Sequence, residues 1–124
     1  MKIVFRTDAS LQIGTGHVMR CLTLAEVLRK SGAQCKFICR EHPGNLIDLI
    51  RQRGFLVTVL SLTIESAVIP VKINEEQPSY ASWLGVDFST DANQTKDDIV
   101  ETGVDWLIVD HYALDYRWEE ILRP

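Results

Sequence analysis

The chain has 124 residues, of which 46% are hydrophobic and 24% charged, and its formal net charge is −4. This length and hydrophobic content suffice to bury one core, so we expect one domain or part of one. The small acidic charge argues against nucleic acid as a partner. No apolar run approaches the roughly 20 residues of a membrane helix and no signal-type stretch opens the chain, so we expect no membrane partner and a cytoplasmic location.

Three cysteines are present, Cys21, Cys35 and Cys39. Their odd number and their spacing fit neither a disulfide framework nor a zinc site. We therefore predict three reduced, mostly buried thiols, and we expect neither a metal nor another cofactor.

The first predicted element is a short buried strand over residues 2–5. Arg6 and Asp8 follow it at its carboxyl end, which is the edge where ligands bind in open parallel α/β sheets. Asp8 then has two interpretations. It contacts a substrate, or it forms a local ion pair that shapes the loop.

A glycine loop and a helix come next. Apolar residues recur at helical spacing from Val18 to Lys30, and Gly14 and Gly16 stand just before that run. Glycine permits a positive φ and the close approach of a ligand. The amide N–H groups at a helix start favour a bound anion such as a phosphate. We therefore predict that this loop binds a phosphate group.

His17 falls in the first helical turn, where the helix dipole favours the neutral imidazole that acts as a base at pH 7. The alternative is that the two glycines only form a tight turn and His17 only caps the helix. Arg20 lies one turn further on. It reaches back to a phosphate or a carboxylate, or it is a solvated helix residue.

Strands over residues 35–39 and 55–60 flank a second helix, which Asn45 caps and Gly54 ends. We predict that His42, next to a proline in a turn, is exposed. Strands and helices that alternate in this way predict right-handed parallel crossovers. The fold class is therefore α/β, a Rossmann-like doubly wound parallel sheet.

The pattern weakens between residues 61 and 91, and the role of this stretch stays open. Tyr80 and Trp83 lie in it, and we favour a packing role for them over stacking on a sugar or a base. Ser89 or Thr90 is the predicted cap of a polar helix that runs to about residue 101.

A fourth strand over residues 104–109 brings Asp110 and Tyr112 to the same carboxyl edge as Asp8. The Asp110 carboxylate holds sugar hydroxyls or orients a water there, unless it only bonds backbone amides at the strand end. Tyr112 contacts substrate or packs inward. Asp115 is the predicted cap of a last helix, whose core-facing residues are Trp118, Ile121 and Leu122.

Three strings in the chain resemble the UDP-sugar hydrolases of pseudaminic acid biosynthesis, a family shared with the spore-coat polysaccharide proteins called SpsG. They are Asp8-Ala9-Ser10 with Ile13-Gly14-Thr15-Gly16-His17-Val18-Met19-Arg20-Cys21-Leu22-Thr23-Leu24-Ala25, then Trp83-Leu84-Gly85, and Asp105-Trp106-Leu107-Ile108-Val109-Asp110-His111-Tyr112. The resemblance covers the start, middle and end of the chain.

The resemblance implies hydrolysis of a UDP-linked 2,4-diacetamido-2,4,6-trideoxy sugar to the free sugar and UDP. We assign the general base to His17, which would activate water for attack on the anomeric carbon with inversion. Substrate contacts are assigned to the residues around it, which are Asp8, Gly14, Gly16, Arg20, Asp110 and Tyr112.

The resemblance also implies the two-domain GT-B architecture of nucleotide-sugar glycosyltransferases. Residues 1–124 would then be the N-terminal domain, truncated before a C-terminal nucleotide-binding domain, and we expect this fragment to be inactive alone. The sheet edge left exposed predicts self-association. Two other functions stay open, a glycosyltransferase that passes the sugar to an acceptor and a non-catalytic fragment that binds a nucleotide sugar.

Overall fold

The computed structural model describes residues 1–62 and 84–123, and these contain four strands and four helices. In chain order they are β1 (Lys2–Thr7), α1 (Gly16–Lys30), β2 (Gln34–Arg40), α2 (Ile47–Gln52), β3 (Leu56–Leu60), α3 (Phe88–Thr102), β4 (Trp106–Asp110) and α4 (Tyr116–Leu122). The predictions for Tyr80 and Trp83 fall outside the described residues.

The four strands form one sheet in the order β3-β2-β1-β4, and every neighbouring pair is parallel. This arrangement confirms the predicted Rossmann-like α/β fold. The strand order changes direction at β1, whose neighbours are β2 on one side and β4 on the other. In such sheets a crevice opens at the carboxyl ends of the two strands where the order changes, and ligands bind in it.

Helices cover both faces of the sheet. Side chains alternate along β1, so that Phe5 packs in the larger core with α1 and α2 while Val4 packs on the opposite face with Ile38. Phe5 stacks on Phe37 of β2 with ring centroids 4.9 Å apart. Burying side chains of this size stabilises the fold by roughly 1.5–3 kcal/mol each.

The helix caps differ in detail from the prediction. Asp87 caps α3, because its carboxylate accepts a hydrogen bond from the amide of Ser89, so the prediction of Ser89 or Thr90 as the cap is wrong. Asp115 caps α4 as predicted and accepts from the amide of Arg117 at 3.0 Å. Trp118 of α4 is fully buried, as its helical spacing predicts.

Two further predictions concern burial. The three cysteines are free thiols, with Cys21 and Cys39 buried and Cys35 half-buried, as predicted. His42 was expected to be exposed and is instead 6% exposed, because its ring turns inward and places Nε2 3.3 Å from a carboxylate oxygen of Asp8. Across the described residues, no helix combines the length and the apolar character needed to cross a membrane.

Candidate active site

The glycine loop closes on Ser10. The amide of Gly14 donates to the Ser10 carbonyl at 2.8 Å, and the amide of Ile13 donates to Ser10 Oγ at 2.9 Å. Gly14 has a φ of +80°, which other residues rarely adopt. Gly16 is the first residue of α1 and does not use this conformational freedom, because its φ is not positive. A Cβ on Gly16 would meet no atom within 4 Å in the described residues, which leaves room for a ligand.

The N-terminus of α1 carries its dipole without a neutralising side chain. Thr15 occupies the N-cap position, and within the described part of the chain its side chain makes no capping hydrogen bond. The first turn contains no acidic residue. The amide N–H groups of this turn are therefore suited to bind an anion.

His17 and Asp110 meet across the crevice between β1 and β4. Nδ1 of His17 lies 2.5 Å from Oδ1 of Asp110, and the histidine is 7% exposed. Lone pairs on both atoms would repel at this distance, so Nδ1 carries a proton and donates it to the carboxylate. Because Nδ1 is engaged in this way, Nε2 is the ring nitrogen that has the lone pair in neutral His17.

Arg20 binds the same carboxylate from the solvent side. Its Nε and Nη2 each donate to an oxygen of Asp110 at 2.8 Å, although its side chain is 68% exposed. Burial raises the pKa of Asp110, but the hydrogen bonds from His17 and Arg20 outweigh it, and the pKa lies below its ordinary value. Asp110 is therefore ionised at neutral pH.

Two more side chains border this pair. The ring of Tyr112 meets that of His17 edge to face with centroids 4.4 Å apart, and Tyr112 is 57% exposed. Cys21 lies 3.8 Å from Asp110 through its sulfur. Burial, and then the Asp110 charge, raises the pKa of this thiol to about 11, so Cys21 is not a nucleophile at neutral pH.

Asp8 is completely buried beneath the site. Arg6 donates to both of its oxygens, at 2.8 and 3.1 Å, and the amide of Arg40 donates to Oδ1 at 2.6 Å. Burial raises its pKa, but the Arg6 charge and hydrogen bonds from His111 and His42 hold it well below the ordinary value. These contacts correspond to the ion-pair interpretation of Asp8.

His111 connects Asp8 to the end of β4. Its Nε2 lies 2.9 Å from Oδ2 of Asp8, and its Nδ1 accepts a hydrogen bond from the amide of Ala113 at 3.0 Å. An accepting Nδ1 has no proton, so the ring proton is on Nε2 and is donated to Asp8. His111 is thus a neutral donor that ties the carboxyl ends of β1 and β4 together.

A buried charge network extends from Asp8 and was not foreseen in the sequence. Asp91 of α3 accepts from Arg6, from Arg40 Nη2 at 2.9 Å and from Trp118 Nε1 at 2.9 Å. Burial raises the pKa of Asp91, but the two guanidinium groups outweigh it and lower the pKa. Asp91 and Thr95, one turn apart on α3, are both buried, but polar residues at this spacing are equally typical of a solvated helix face, so the sequence offered no signal for the network.

The structure thus brings His17, Arg20, Asp110 and Tyr112 together at the carboxyl edge of the sheet, with Gly14 and Gly16 in the adjoining loop and Asp8 below. Together they define an α/β protein with a largely buried histidine–aspartate pair at the β1–β4 crevice, bordered by the exposed side chains of Arg20 and Tyr112. Among the described residues, no group of three or more His, Cys, Asp or Glu side chains is placed to hold a metal ion.

No family model matches the chain. It is similar to the UDP-2,4-diacetamido-2,4,6-trideoxy-beta-L-altropyranose hydrolase of Campylobacter jejuni, with 46% identity over 50 residues, which is 40% of this chain and 17% of that protein. It is also similar to an uncharacterized protein of Methanocaldococcus jannaschii, with 39% identity over 57 residues, 46% of this chain and 12% of that protein. The alignments cover less than a fifth of each relative and support a distant relationship to a UDP-sugar hydrolase.

Proposed function

We propose that this chain is the N-terminal domain of a UDP-sugar hydrolase and that His17 is its general base. The observation that carries the proposal is the 2.5 Å contact between His17 and Asp110 at the β1–β4 crevice. A carboxylate that holds Nδ1–H fixes the tautomer in which Nε2 accepts a proton. The distant similarity to the Campylobacter hydrolase supports the substrate class.

The reaction is a displacement at the anomeric carbon. Water attacks that carbon from the face opposite UDP while Nε2 of His17 takes its proton. The bond between the anomeric carbon and the leaving oxygen breaks, and the electron pair departs with UDP. One carbon–oxygen bond forms as another breaks, so the configuration inverts, and Asp110 stabilises the imidazolium that results.

The remaining residues stabilise the leaving group and hold the sugar. The amides at the start of α1 face the diphosphate, and Gly16 leaves space for its approach. Tyr112, exposed beside His17, is our candidate for a sugar contact. Asp8, which is buried, acts on the site through its hydrogen bond with His111.

The particular substrate proposed is UDP-2,4-diacetamido-2,4,6-trideoxy-β-L-altropyranose, the substrate in the name of the Campylobacter relative. The reaction would then belong to pseudaminic acid biosynthesis in the cytoplasm. We further propose a GT-B arrangement, in which a C-terminal domain supplies the uridine contacts and this chain alone is inactive.

The test measures release of UDP and free sugar from that substrate. It compares this chain, a version extended past Pro124 through the proposed second domain, and the extended version with His17→Ala. We expect turnover by the extended protein and a loss of about 10²- to 10⁴-fold in the alanine variant. Met19→Ala, at the next position of α1 and partly exposed, is the control that should keep full activity.

Three outcomes would contradict the proposal. An alanine variant as fast as its parent would remove His17 from the mechanism. Sugar release only after addition of an acceptor would identify a glycosyltransferase. Equal binding of the nucleotide sugar by the parent and by His17→Ala, with no turnover by either, would identify a non-catalytic binding fragment.

A further inference from the structure

Arg20 and His17 share one carboxylate oxygen. Nη2 of Arg20 lies 2.8 Å and Nδ1 of His17 lies 2.5 Å from Oδ1 of Asp110. The Arg20 side chain is 68% exposed, whereas that of His17 is 9% exposed. One partner of the shared carboxylate is therefore enclosed, and the other is open to solvent and to ligands.

The guanidinium opposes protonation of His17 in two ways. It offsets the Asp110 charge that would stabilise an imidazolium, and its Nη2 lies 3.2 Å from Nδ1, where it repels that cation directly. The other side chains at this position are the neutral thiol of Cys21, from α1, and the ring of Tyr112, from the segment after β4. Among the described groups around the ring, Arg20 is thus the cation that lies against it.

The ion pair between Arg20 and Asp110 is of the kind that a ligand displaces. The guanidinium is 68% exposed, so a ligand can reach it from solvent without unfolding the chain, and salt screens its attraction to Asp110. A diphosphate carries more charge than one carboxylate, and its oxygens match the guanidinium fork. Gly16 and Arg20 are four residues apart in α1, on one face of the helix, so an anion at the helix N-terminus lies on the side that Arg20 occupies.

We propose that the diphosphate of a bound nucleotide draws Arg20 away from Asp110, and that His17 becomes a stronger base when it does so. This inference rests on the proposed function, because it takes His17 as the base. Without ligand, Arg20 shares the Asp110 carboxylate with His17. With the leaving group in place, the Asp110 charge acts on the imidazole alone, and activation of water is coupled to occupancy of the site.

The test is an NMR titration of the His17 ring in this chain, with uridine diphosphate, with uridine and without ligand. Three proteins are compared: the parent, Arg20→Gln, and the control Arg53→Gln, which removes another exposed ion pair, that with Glu26 at 2.7 Å. Without ligand, we expect His17 in Arg20→Gln to bind its proton about three- to tenfold more tightly than in the parent. Arg53→Gln should match the parent.

Uridine diphosphate should raise the proton affinity of His17 in the parent and raise it much less in Arg20→Gln. Uridine should leave the proton affinity of His17 unchanged in both proteins. Equal His17 titration in the ligand-free parent and Arg20→Gln would overturn the inference. An equal response of the parent and Arg20→Gln to uridine diphosphate would also overturn it, because the phosphate charge would then act on His17 directly. Failure of the parent to respond to uridine diphosphate would overturn it as well. These titrations need no turnover, so their failure is distinct from failure of the hydrolase assay.

Discussion

Arg6 and Asp91 form a fully buried ion pair that joins β1 to α3. Nε and Nη2 of Arg6 lie 3.1 and 2.5 Å from the two oxygens of Asp91, and neither side chain has exposed surface. Arg40 contacts the same carboxylate at 2.9 Å. Asp91 and Asp8 thus balance the charges of the two arginines, and none of these four side chains has exposed surface.

Replacing Asp91 by asparagine should therefore be strongly destabilising. The change keeps the shape of the side chain but leaves Arg6 and Arg40 with one carboxylate between them. Breaking a buried pair in this way costs about 3–5 kcal/mol. Urea unfolding followed by circular dichroism measures the change. Asp97→Asn, an exposed position on the same helix, should stay within about 0.5 kcal/mol of the parent, and equal values for the two variants would contradict the prediction.

The same network makes the stability of the fold depend on pH in the acidic range. Asp8 and Asp91 have pKa values lowered by the arginines, so each is protonated less readily in the folded chain than in the unfolded chain. The contribution of these two carboxylates to the free energy of unfolding is complete well above their unfolded pKa of about 4. It is lost as the pH falls through that value towards the lower folded pKa values. The free energy of unfolding, measured between pH 7 and 3 at constant salt, should fall below pH 5. Asp91→Asn, with one such group fewer, should show a smaller decrease.

Gly14 and Gly16 should respond differently to alanine. Gly14→Ala places a Cβ at a φ of +80° and should cost about 1–2 kcal/mol. Gly16→Ala meets open space at a helical position, so stability should stay equal or rise by up to about 1 kcal/mol. The added methyl group should nevertheless weaken binding of uridine diphosphate, measured by calorimetry, because it occupies the approach to the helix amides. Unchanged affinity in Gly16→Ala would remove this loop from the phosphate site.

Asp110→Asn tests the orientation of His17. The amide is close in shape, but it no longer offers a charged acceptor to Nδ1–H, so the imidazole loses its fixed tautomer. In the extended protein we expect kcat to fall by at least about tenfold with a smaller change in KM. In the chain alone, the ¹⁵N shifts of the His17 ring should report a mixed tautomer. Parent-like ring shifts in this variant would show that Asp110 does not select the tautomer.

The outer edge of β4 is the surface on which the prediction of self-association depends. In the described sheet β4 is a terminal strand, Trp106 is 61% exposed, and an apolar cavity of about 450 Å³ lies beside Leu107 and Val109. Unpaired strand edges promote association. Sedimentation should show a mass that rises with concentration, and Trp106→Lys should reduce that rise by placing a charge on the edge. A parent that stays monomeric at high concentration would contradict the prediction.

The sequence was sufficient for the sheet and for the neighbourhood of the site. Buried strands and amphipathic helices have distinct periods, and parallel crossovers place Asp8 and Asp110 at one edge. The contacts of His42 and Asp91 could not be predicted from such sequence patterns. Both are polar residues on local patterns typical of solvent, and each is buried because a partner distant in sequence compensates its polarity. Arg6 and Asp91 are 85 residues apart, and no local pattern records such a pairing.

The hydrogen bonds to Asp8 bear on how the site arises during folding. Its carboxylate receives donors from Arg6 in β1, from the Arg40 amide in β2 and from His111, which is 103 residues away, beyond β4. The last of these contacts requires loop closure over most of the chain, which is entropically costly and slow. The residue beside His111 is Asp110, the partner of His17. His17 can therefore acquire its carboxylate partner only when β4 has docked, so a chain that has folded only as far as β3 has the histidine without the contact that orients its ring.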